Sequence, residues 1–307
     1  MTVSSPSQHL LAGQLRAELS RRAVTDRVAH AGLALDIEPF GDLAKLSDSE
    51  LAKRLSDCRD DRIEIDAAPA FARGQFESVA AVIPLARLTQ RPDGQWVLKA
   101  PLLREYYDVD ASEPFREQPV AAVAAASLLS SQVVFTAWHI ATSASLLKRL
   151  RFVFGYRMDG ASPVTVFPPE DVYEATFLCS NPRRDIAAFQ LDRPVPAHRT
   201  ALPRHAGKVA DGEELYVIGY PVGLPAKFAG NGRVLDNTSR SRFRADLDVM
   251  GANSGSPVFS LTDRDVVGVV SSGPQGWTTV NGKLVSDFCH DPNDVPIEIS
   301  RISNLQI

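Results

Sequence analysis

From about residue 76 onward, short apolar runs alternate with turn residues, and this pattern constrains the fold more than any other feature of the sequence. The runs 79–88 and 96–98 flank a Pro-Asp-Gly turn at residues 92–94. In 242–247, apolar residues alternate with charged ones, as they do in a strand with one buried face. Turns rich in Gly, Pro and Asn recur about every ten residues, a spacing typical of all-β barrels. The pattern predicts a mostly β protein.

Residues 1–75 carry a helical pattern instead. Leucines recur at helical spacing within 5–30, and Ser47 and Glu50 have the spacing of a capping box ahead of a second helix. We therefore predict a helical N-terminal extension and linker over 1–75 and a separate β domain over 76–307. The helices either pack on the β domain or bind a regulatory protein partner, and the sequence leaves both alternatives open.

Composition and charge argue against two classes of partner. The chain has 307 residues, of which 44% are hydrophobic and 23% charged, with a formal net charge of −4. These are ordinary values for a folded protein. The sequence has no basic stripe of the kind that binds nucleic acid or an anionic membrane surface. We expect neither nucleic acid nor a membrane as a partner.

Cysteine usage and the N-terminal residues predict the compartment. The chain has 3 cysteines, an odd and small number, so structural disulfides are not expected, although the sequence leaves a Cys179–Cys289 pair open. Residues 1–22 carry charges where a secretory signal peptide would be apolar. No run approaches the roughly 18 apolar residues of a membrane span. The expected location is the cytoplasm.

The segment 251–258, Gly-Ala-Asn-Ser-Gly-Ser-Pro-Val, places Ser254 among small residues, after one predicted strand and before another. A serine hydroxyl is a weak nucleophile at neutral pH. Catalysis by serine therefore requires a base that takes its proton and donors that bind the oxyanion. Ser254 is the candidate nucleophile.

Two earlier segments supply candidates for the base and for the group that orients it. In 133–139 an apolar run ends at His139, and in 184–194 an aspartate, Asp185, stands before an apolar strand. An imidazole has a pKa of about 6.5 in water, so it can accept and return a proton near neutral pH.

Taken together, the three segments resemble the His, Asp and Ser blocks of trypsin-like serine peptidases. The Asn-Ser-Gly-Ser-Pro-Val form is most similar to the bacterial branch that includes the glutamyl endopeptidases. The chain order His139, Asp185, Ser254 is that of the chymotrypsin fold, whereas α/β-hydrolases and subtilisins have other orders. The resemblance covers roughly residues 100–307. It implies two six-stranded antiparallel β-barrels, with the helical N-terminal extension outside the similarity.

The resemblance also implies a role for each residue of the site. His139 would act as general base and then general acid, and Asp185 would accept a hydrogen bond from its second ring nitrogen. The backbone N–H groups of Ala252 and Ser254 would form the oxyanion hole. Most of the family has glycine where this chain has Ala252, and glycine tolerates backbone angles that alanine resists. Our hypothesis is that the peptide before Ala252 is flipped at rest until a substrate or partner binds.

Substrate-binding residues follow from the same resemblance. Ser271 and Gly273 belong to the segment that runs alongside the substrate backbone in the family. Asp248 stands six residues before Ser254, the spacing at which trypsin places the carboxylate that binds Arg or Lys. Asp248 is either that carboxylate or a turn residue. The histidine of glutamyl endopeptidases is matched by Val270 here, which does not support a preference for Glu.

A second motif in the predicted second barrel is Gly-Tyr-Pro-Val-Gly at residues 219–223. Bacterial trypsin-like peptidases often carry a Gly-x-Pro-x-Gly turn between two strands there. We favour a hairpin in which glycine and proline only set the backbone angles. The alternative is a loop at the wall of the cleft.

Three functions stay open on the sequence. The first is a serine endopeptidase acting on a protein or peptide substrate. The second is a catalytically silent peptidase fold that binds a partner, and the third is an acyl hydrolase such as an esterase, which the chain order disfavours. The 6 histidines show no metal-ligand spacing, so we expect no metal and no cofactor.

Overall fold

Short antiparallel strands dominate the residues that this computed structural model describes, which are 60–288 and 297–302. The strands are β1 Ile63–Glu64, β2 Val79–Pro84, β3 Leu88–Gln90, β4 Trp96–Leu98, β5 Ala124–Ser130, β6 Val133–Thr136, β7 Leu150–Phe154, β8 Met158–Asp159, β9 Ser162–Pro163, β10 Val166–Phe167, β11 Val172–Tyr173, β12 Ala175–Asn181, β13 Ile186–Leu191, β14 Glu214–Gly219, β15 Lys227–Asp236, β16 Arg242–Asp246, β17 Pro257–Ser260, β18 Val266–Ser272, β19 Trp277–Val280, β20 Lys283–Ser286 and β21 Ile297–Arg301. The α-helices of the same residues are α1 Ala70–Phe76, α2 Leu103–Tyr106 and α3 Ala144–Leu147. The predicted N-terminal helices lie outside the described residues.

The first large sheet forms a half-barrel. Its seven strands lie in the order β11-β7-β2-β5-β6-β13-β12, and each neighbouring pair is antiparallel. At its centre β2 and β5 are rich in alanine, with Ala80 opposite Ala126 and Ala81 opposite Ala125. Phe152 and Phe189 fill the interior between the strands. Small residues at the centre therefore leave space for large ones on the flanking strands.

The second large sheet closes into a barrel of six strands. The order β15-β14-β17-β18-β21-β16 is completed by direct pairing of β15 with β16, and β1 adds to the outer edge of β15. Inward-facing valine, leucine and isoleucine side chains fill this ring. In β16 the apolar residues Phe243 and Ala245 are buried while their charged neighbours are partly exposed, as the alternation in the sequence predicts.

A further apolar cluster contains residues of both barrels. Phe135 and Ile186 of the first barrel belong to the same buried cluster as Tyr216, Tyr220 and Phe259 of the second. The rings of Tyr216 and Phe259 stack with centroids 4.9 Å apart. The predicted fold is confirmed: the protein is mostly β with a chymotrypsin-like pair of barrels, of which the second is the closed one.

Residues 60–76, which the sequence assigned mostly to a linker, lie against the barrels. Ile63 pairs with Phe228 of β15, and helix α1 buries Ala72 and Phe76. Residues 60–287 belong to one compact unit. No α-helix within the described ranges has the length and apolar character needed to cross a bilayer.

Candidate active site

His139 lies directly after strand β6, in a 3-10 turn over Trp138–Ile140. Its Nε2 is 2.9 Å from Oγ of Ser254, and its Nδ1 is 2.8 Å from Oδ2 of Asp185. The side chain of His139 is 42% exposed, so the imidazole is accessible from solvent. The structure thus brings together three predicted residues that are distant in sequence, in one hydrogen-bonded chain.

Strand pairing explains why Asp185 meets His139. Strand β13 runs antiparallel to β6, with Ala187 opposite Thr136. Continuing this register beyond the end of β6 places the residues before Ala187 beside the turn that contains His139. Asp185 directly follows a 3-10 turn over Pro182–Arg184, and its backbone lies in the left-handed region, with φ 53° and ψ 48°. Aspartate adopts this conformation more readily than most residues.

Asp185 is buried and accepts three kinds of hydrogen bond. The donors are the backbone N–H of His139 at 3.0 Å, its Nδ1, and the hydroxyl of Ser271 at 2.6 Å. Burial raises the pKa of Asp185, but the hydrogen bonds from His139 and Ser271 lower it by more, so the pKa lies below its ordinary value. A carboxylate kept ionised in this way fixes the tautomer of the imidazole and stabilises its protonated form.

The backbone of Ser254 is fixed between the two barrels. Its carbonyl oxygen accepts the N–H of Ala125 in β5 at 2.9 Å, and the next residue, Gly255, donates its N–H to Val270 of β18 at 2.8 Å. Gly255 has a φ of 78°, and a Cβ there would overlap the hydroxyl of Thr136 and the carbonyl of Ala125. Only glycine fits this position, which accounts for the Ser-Gly pair in the sequence.

A tight turn precedes the nucleophile candidate. The N–H of Asn253 donates to the carbonyl of Met250 at 3.1 Å. Between them φ is 66° at Ala252 and negative at Gly251, the combination that characterises a type II turn. The Gly251 carbonyl accepts the N–H of Val222 at 2.6 Å. Because the connecting peptide is trans and planar, the N–H of Ala252 points to the opposite side.

This turn corrects the expectation for Ala252. A flipped peptide would give a type I turn, with a negative φ at Ala252, whereas the φ observed is 66°. Alanine accepts the left-handed angles at a cost of about 1 to 2 kcal/mol. Within the described part of the chain, the N–H groups of Ala252 and Ser254 have no hydrogen-bond acceptor. Both donors are therefore available to a ligand.

Asp248 does not project into open solvent. It is 6% exposed, and its Oδ2 accepts the backbone N–H of Asp61 at 2.6 Å. Burial raises the pKa of Asp248 to about 8, and repulsion from Asp61 and Asp60 acts in the same direction. Below that pH the carboxyl group is mostly neutral. A neutral acid attracts a guanidinium or ammonium group far less than a carboxylate does.

The loop between Asp248 and Ser254 also contacts a buried cation. The side chain of Arg62 is fully buried and pairs with Asp60 at 2.8 Å and Glu113 at 3.5 Å. One of its nitrogens is 3.0 Å from Sδ of Met250. Sequence reasoning missed these contacts, because it assigned residues 1–75 to a helical extension and linker and expected no contact between Arg62 and the residues around Met250.

The other two predicted substrate-binding residues lie on or just after β18. The hydroxyl of Ser271 is buried and binds Asp185, so this side chain supports the His-Asp pair. At Gly273 a Cβ would lie 3.3 Å from Ile297 and 3.5 Å from Val249, so a larger residue would crowd Ile297 and make ordinary contact with Val249. Binding of the substrate backbone at Ser271 and Gly273 stays a prediction.

Metal chemistry has no candidate site in residues 60–288 and 297–302, since no three His, Cys, Asp or Glu side chains are grouped to hold an ion there. The thiol of Cys179 is free. The groups assembled around Ser254 are instead a hydroxyl, an imidazole, a carboxylate and two backbone N–H donors, which are the groups that acyl transfer by serine requires.

Comparison with known proteins gives one family match. The family model described as "Trypsin-like peptidase domain" matches residues 124–269, slightly less than half of the chain, and this range includes His139, Asp185 and Ser254. No curated protein matches the sequence. The match supports the trypsin-like part of the resemblance, and it does not distinguish the branch of the glutamyl endopeptidases.

Solved structures with a similar arrangement include two forms of Rv3671c from M. tuberculosis. The inactive form of a serine-to-alanine mutant is 15% identical, with a TM-score of 0.44 over 76% of this chain and 85% of that chain. The active form of the Rv3671c protease is 14% identical, with a TM-score of 0.43 over 76% of this chain and 79% of that chain.

Proposed function

We propose that this protein is a serine endopeptidase that cleaves peptide bonds through His139, Asp185 and Ser254. The observation that carries the proposal is the continuous hydrogen-bonded chain from Asp185 through both ring nitrogens of His139 to Oγ of Ser254. A His-Asp pair alone is common. Here the second ring nitrogen of His139 also contacts the Ser254 hydroxyl, and the N–H groups of Ala252 and Ser254 have no acceptor among the described residues. This combination matches acyl transfer.

In the first step His139 takes the proton of the Ser254 hydroxyl as Oγ attacks the carbonyl carbon of the scissile bond. The carbonyl oxygen becomes an oxyanion, and the N–H groups of Ala252 and Ser254 are its candidate donors. His139 then gives the proton to the leaving amine, which departs and leaves an acyl ester on Ser254. A water molecule repeats the sequence and releases the acid.

Asp185 supports both steps without changing its own protonation state. Its low pKa keeps it ionised, so it attracts the positive charge that forms on His139. The Ser271 hydroxyl donates to Oδ2 of Asp185 at 2.6 Å, and the backbone N–H of His139 donates to Oδ1, so both carboxylate oxygens are held in place. A base aligned in this way does not have to reorient in the transition state.

The direct test is labelling of the full chain with a fluorophosphonate. We expect one covalent adduct at Ser254, located by peptide mass spectrometry. The adduct should be absent in Ser254→Ala and present in the matched control Ser256→Ala, where a second serine of the same loop is removed. A wild-type protein that never reacts would favour the silent binding module over the peptidase.

Hydrolysis of matched amide and ester substrates separates a peptidase from an esterase. We expect cleavage of peptides from a library, with products mapped by mass spectrometry, and loss of that cleavage in Ser254→Ala. Turnover of simple esters without any peptide cleavage would support the acyl hydrolase instead.

The residue that precedes the cleaved bond is a separate question. A preference for Arg or Lys would need the carboxyl group of Asp248, whose contact with Asp61 and whose raised pKa weaken that attraction at neutral pH. If Asp248 selects basic residues, the preference in a library should strengthen above about pH 8 and disappear in Asp248→Asn. A pH-independent profile that Asp248→Asn leaves unchanged would assign Asp248 a structural role.

A further inference from the structure

The oxyanion turn is held in place from outside by one backbone hydrogen bond. The N–H of Val222 donates to the carbonyl of Gly251 at 2.6 Å. That carbonyl and the N–H of Ala252 belong to the same planar trans peptide, so they point in opposite directions. Whatever fixes the direction of the carbonyl also fixes the direction of the Ala252 donor.

Val222 makes this bond in an unusual backbone conformation. Its φ is 49° and its ψ is 18°, which is the left-handed region. A β-branched residue is a rare occupant of that region, and such strain persists only where the surrounding structure determines it. The side chain of Val222 is buried as well, with 5% of the residue exposed. Neither backbone nor side chain is free to relax towards solvent.

The neighbouring residue shows what holds Val222. The carbonyl of Gly223 accepts the N–H groups of Ala121 at 2.7 Å and Ala122 at 3.2 Å, and the hydroxyl of Tyr156 is 3.3 Å away. Gly223 has a φ of 87°, and a Cβ on it would lie 2.5 Å from the carbonyl oxygen of Ala122. Gly223 is therefore fixed against the segment that leads into β5 of the first barrel.

A second restraint lies inside the 3-10 turn over Pro221–Gly223. The N–H of Gly223 donates to Tyr220 at 2.9 Å, and that of Leu224 donates to Pro221 at 3.0 Å. The proline ring fixes φ at its own position. With residues fixed on both sides, the backbone of Val222 has to turn through the left-handed region, and this directs its N–H at Gly251.

From this geometry we infer that Val222 is a positioning residue for the oxyanion hole. Its N–H orients the peptide between Gly251 and Ala252 so that the Ala252 donor faces the oxyanion, and the contact of Gly223 with the first barrel keeps that N–H in place. The inference rests on the proposed peptidase function. Residues 219–223 do lie in a hairpin, as expected, because β14 and β15 pair antiparallel with Gly219 opposite Lys227, and the inference adds a role for this hairpin's loop.

The test removes the backbone N–H of Val222 and leaves every side chain unchanged. Incorporating α-hydroxyisovaleric acid at position 222 of the full chain replaces the peptide bond between Pro221 and Val222 with an ester. Loss of one oxyanion donor costs about 10²- to 10³-fold in rate. Since the Ala252 donor is misoriented here but not deleted, we expect kcat to fall about 10- to 100-fold with KM within about twofold.

The matched control is the same kind of ester replacement at Ala226, made with lactic acid, so that both esters follow a proline. It deletes the 3.0 Å bond from the Ala226 N–H to the carbonyl of Tyr156, and it leaves Gly251 and the turn over Pro221–Gly223 untouched. Each ester also weakens the carbonyl of the preceding proline as an acceptor, that of Pro221 for Leu224 and that of Pro225 for Lys227. We expect both esters to lower the unfolding temperature similarly, while the control keeps its kcat within about twofold of the wild-type protein.

Two further readouts separate positioning from general damage. A peptide aldehyde forms a hemiacetal whose oxygen occupies the oxyanion site, so its Ki should rise in proportion to the loss of kcat/KM in the 222 ester and not in the control. Val222→Gly and Val222→Asn keep the N–H and suit left-handed angles, so both should retain the wild-type Ki.

The outcomes distinguish the two proposals. An active wild-type protein whose 222 ester has the same kcat and Ki as the 226 control would overturn the role of Val222 and leave the peptidase intact. An inactive wild-type protein would overturn the proposed function, and the positioning role with it.

Discussion

The two halves of the site are built in different ways. His139 follows the end of β6 and Asp185 precedes the start of β13, and the register of these two strands brings the residues together. Ser254 and the proposed oxyanion donors lie on a loop whose shape depends on left-handed residues, with φ of 66° at Ala252 and 78° at Gly255.

This difference predicts how each half responds to change. The His-Asp half uses a regular ladder, so its function should depend on the side chains alone. The Ser254 half uses strained or glycine-dependent backbone, which is held by contacts with Val222, Ala125 and Val270. Substitutions that alter backbone preference should act on this half even where no functional side chain is removed.

The largest expected effect tests whether the two halves act as one unit. His139→Ala and Ser254→Ala should each lower kcat by about 10⁵- to 10⁶-fold, and the double variant should lose no more than either single one, because the groups act in the same step. Initial rates on a cleaved peptide measure the effect.

His205→Ala is the matched control for that cycle. His205 contacts Asp263 at 2.6 Å through its Nδ1, so the chain offers a second His-Asp pair, one that takes no part in the hydrogen-bonded chain from Asp185 to Ser254. Its loss should leave the rate unchanged. Additive losses in the His139 and Ser254 double variant would show that the two halves do not share one mechanism.

A smaller loss is expected within the His-Asp half. Asp185→Asn keeps the shape of the side chain but removes the charge, so the imidazole is held in the wrong tautomer, and we expect kcat to fall about 10⁴-fold. Asp263→Asn, in the surface pair, should have no effect on rate. A fall of less than about tenfold in Asp185→Asn would show that the ladder positions His139 without help from the carboxylate.

The sequence could predict the position of the His-Asp half. An apolar run ending at His139 and an aspartate before an apolar run place both residues at strand ends, and strand pairing is a regular geometry. The mostly β fold is predictable for the same reason, since the alternation of buried and exposed residues in β16 is visible in the letters themselves.

For the Ser254 half, the sequence could predict the location but not the backbone conformation. Ala252 was expected to resist the left-handed angles that it adopts. The reason for the difference is the bond from the Val222 N–H to the carbonyl of Gly251, two residues that are 29 positions apart (251 − 222). Local sequence rules do not predict such a contact. Likewise the N–H of Asp61 reaches Asp248 across 187 positions. Long-range backbone contacts of this kind are decided by packing.

Asp248, near the Ser254 half, allows a test by the pH dependence of the free energy of unfolding. The pKa of Asp248 is raised to about 8 in the fold, well above its value of about 3.9 in an unfolded chain. Between these values folding takes up a proton at Asp248, so the contribution of this group to stability falls as pH rises from about 4 to 8 and then levels off. Asp248→Asn keeps an acceptor for the Asp61 N–H and lacks this loss.

The advantage of Asp248→Asn should therefore grow with pH. The two pKa values differ by about 4 units (8 − 3.9). One unit corresponds to about 1.4 kcal/mol, which sets a ceiling near 6 kcal/mol, and we expect about 2 to 3 kcal/mol between pH 5 and 8.5 from denaturant titrations. Asp159→Asn, at an exposed position, is the control and should show no such trend. A pH-independent difference would mean that Asp248 is solvated.

The smallest expected effect isolates the strain at Ala252. With φ at 66°, Ala252→Gly removes a steric penalty without removing any contact of the peptide backbone, and we expect the free energy of unfolding to rise by about 1 kcal/mol. Because Val222 already holds the Gly251 carbonyl, kcat should stay within about twofold. Ala245→Gly, in strand β16 where φ is not positive, should instead destabilise the protein. If Ala252→Gly raised kcat tenfold at unchanged stability, the alanine would be distorting the oxyanion turn, and the restraint from Val222 would be weaker than its 2.6 Å bond implies.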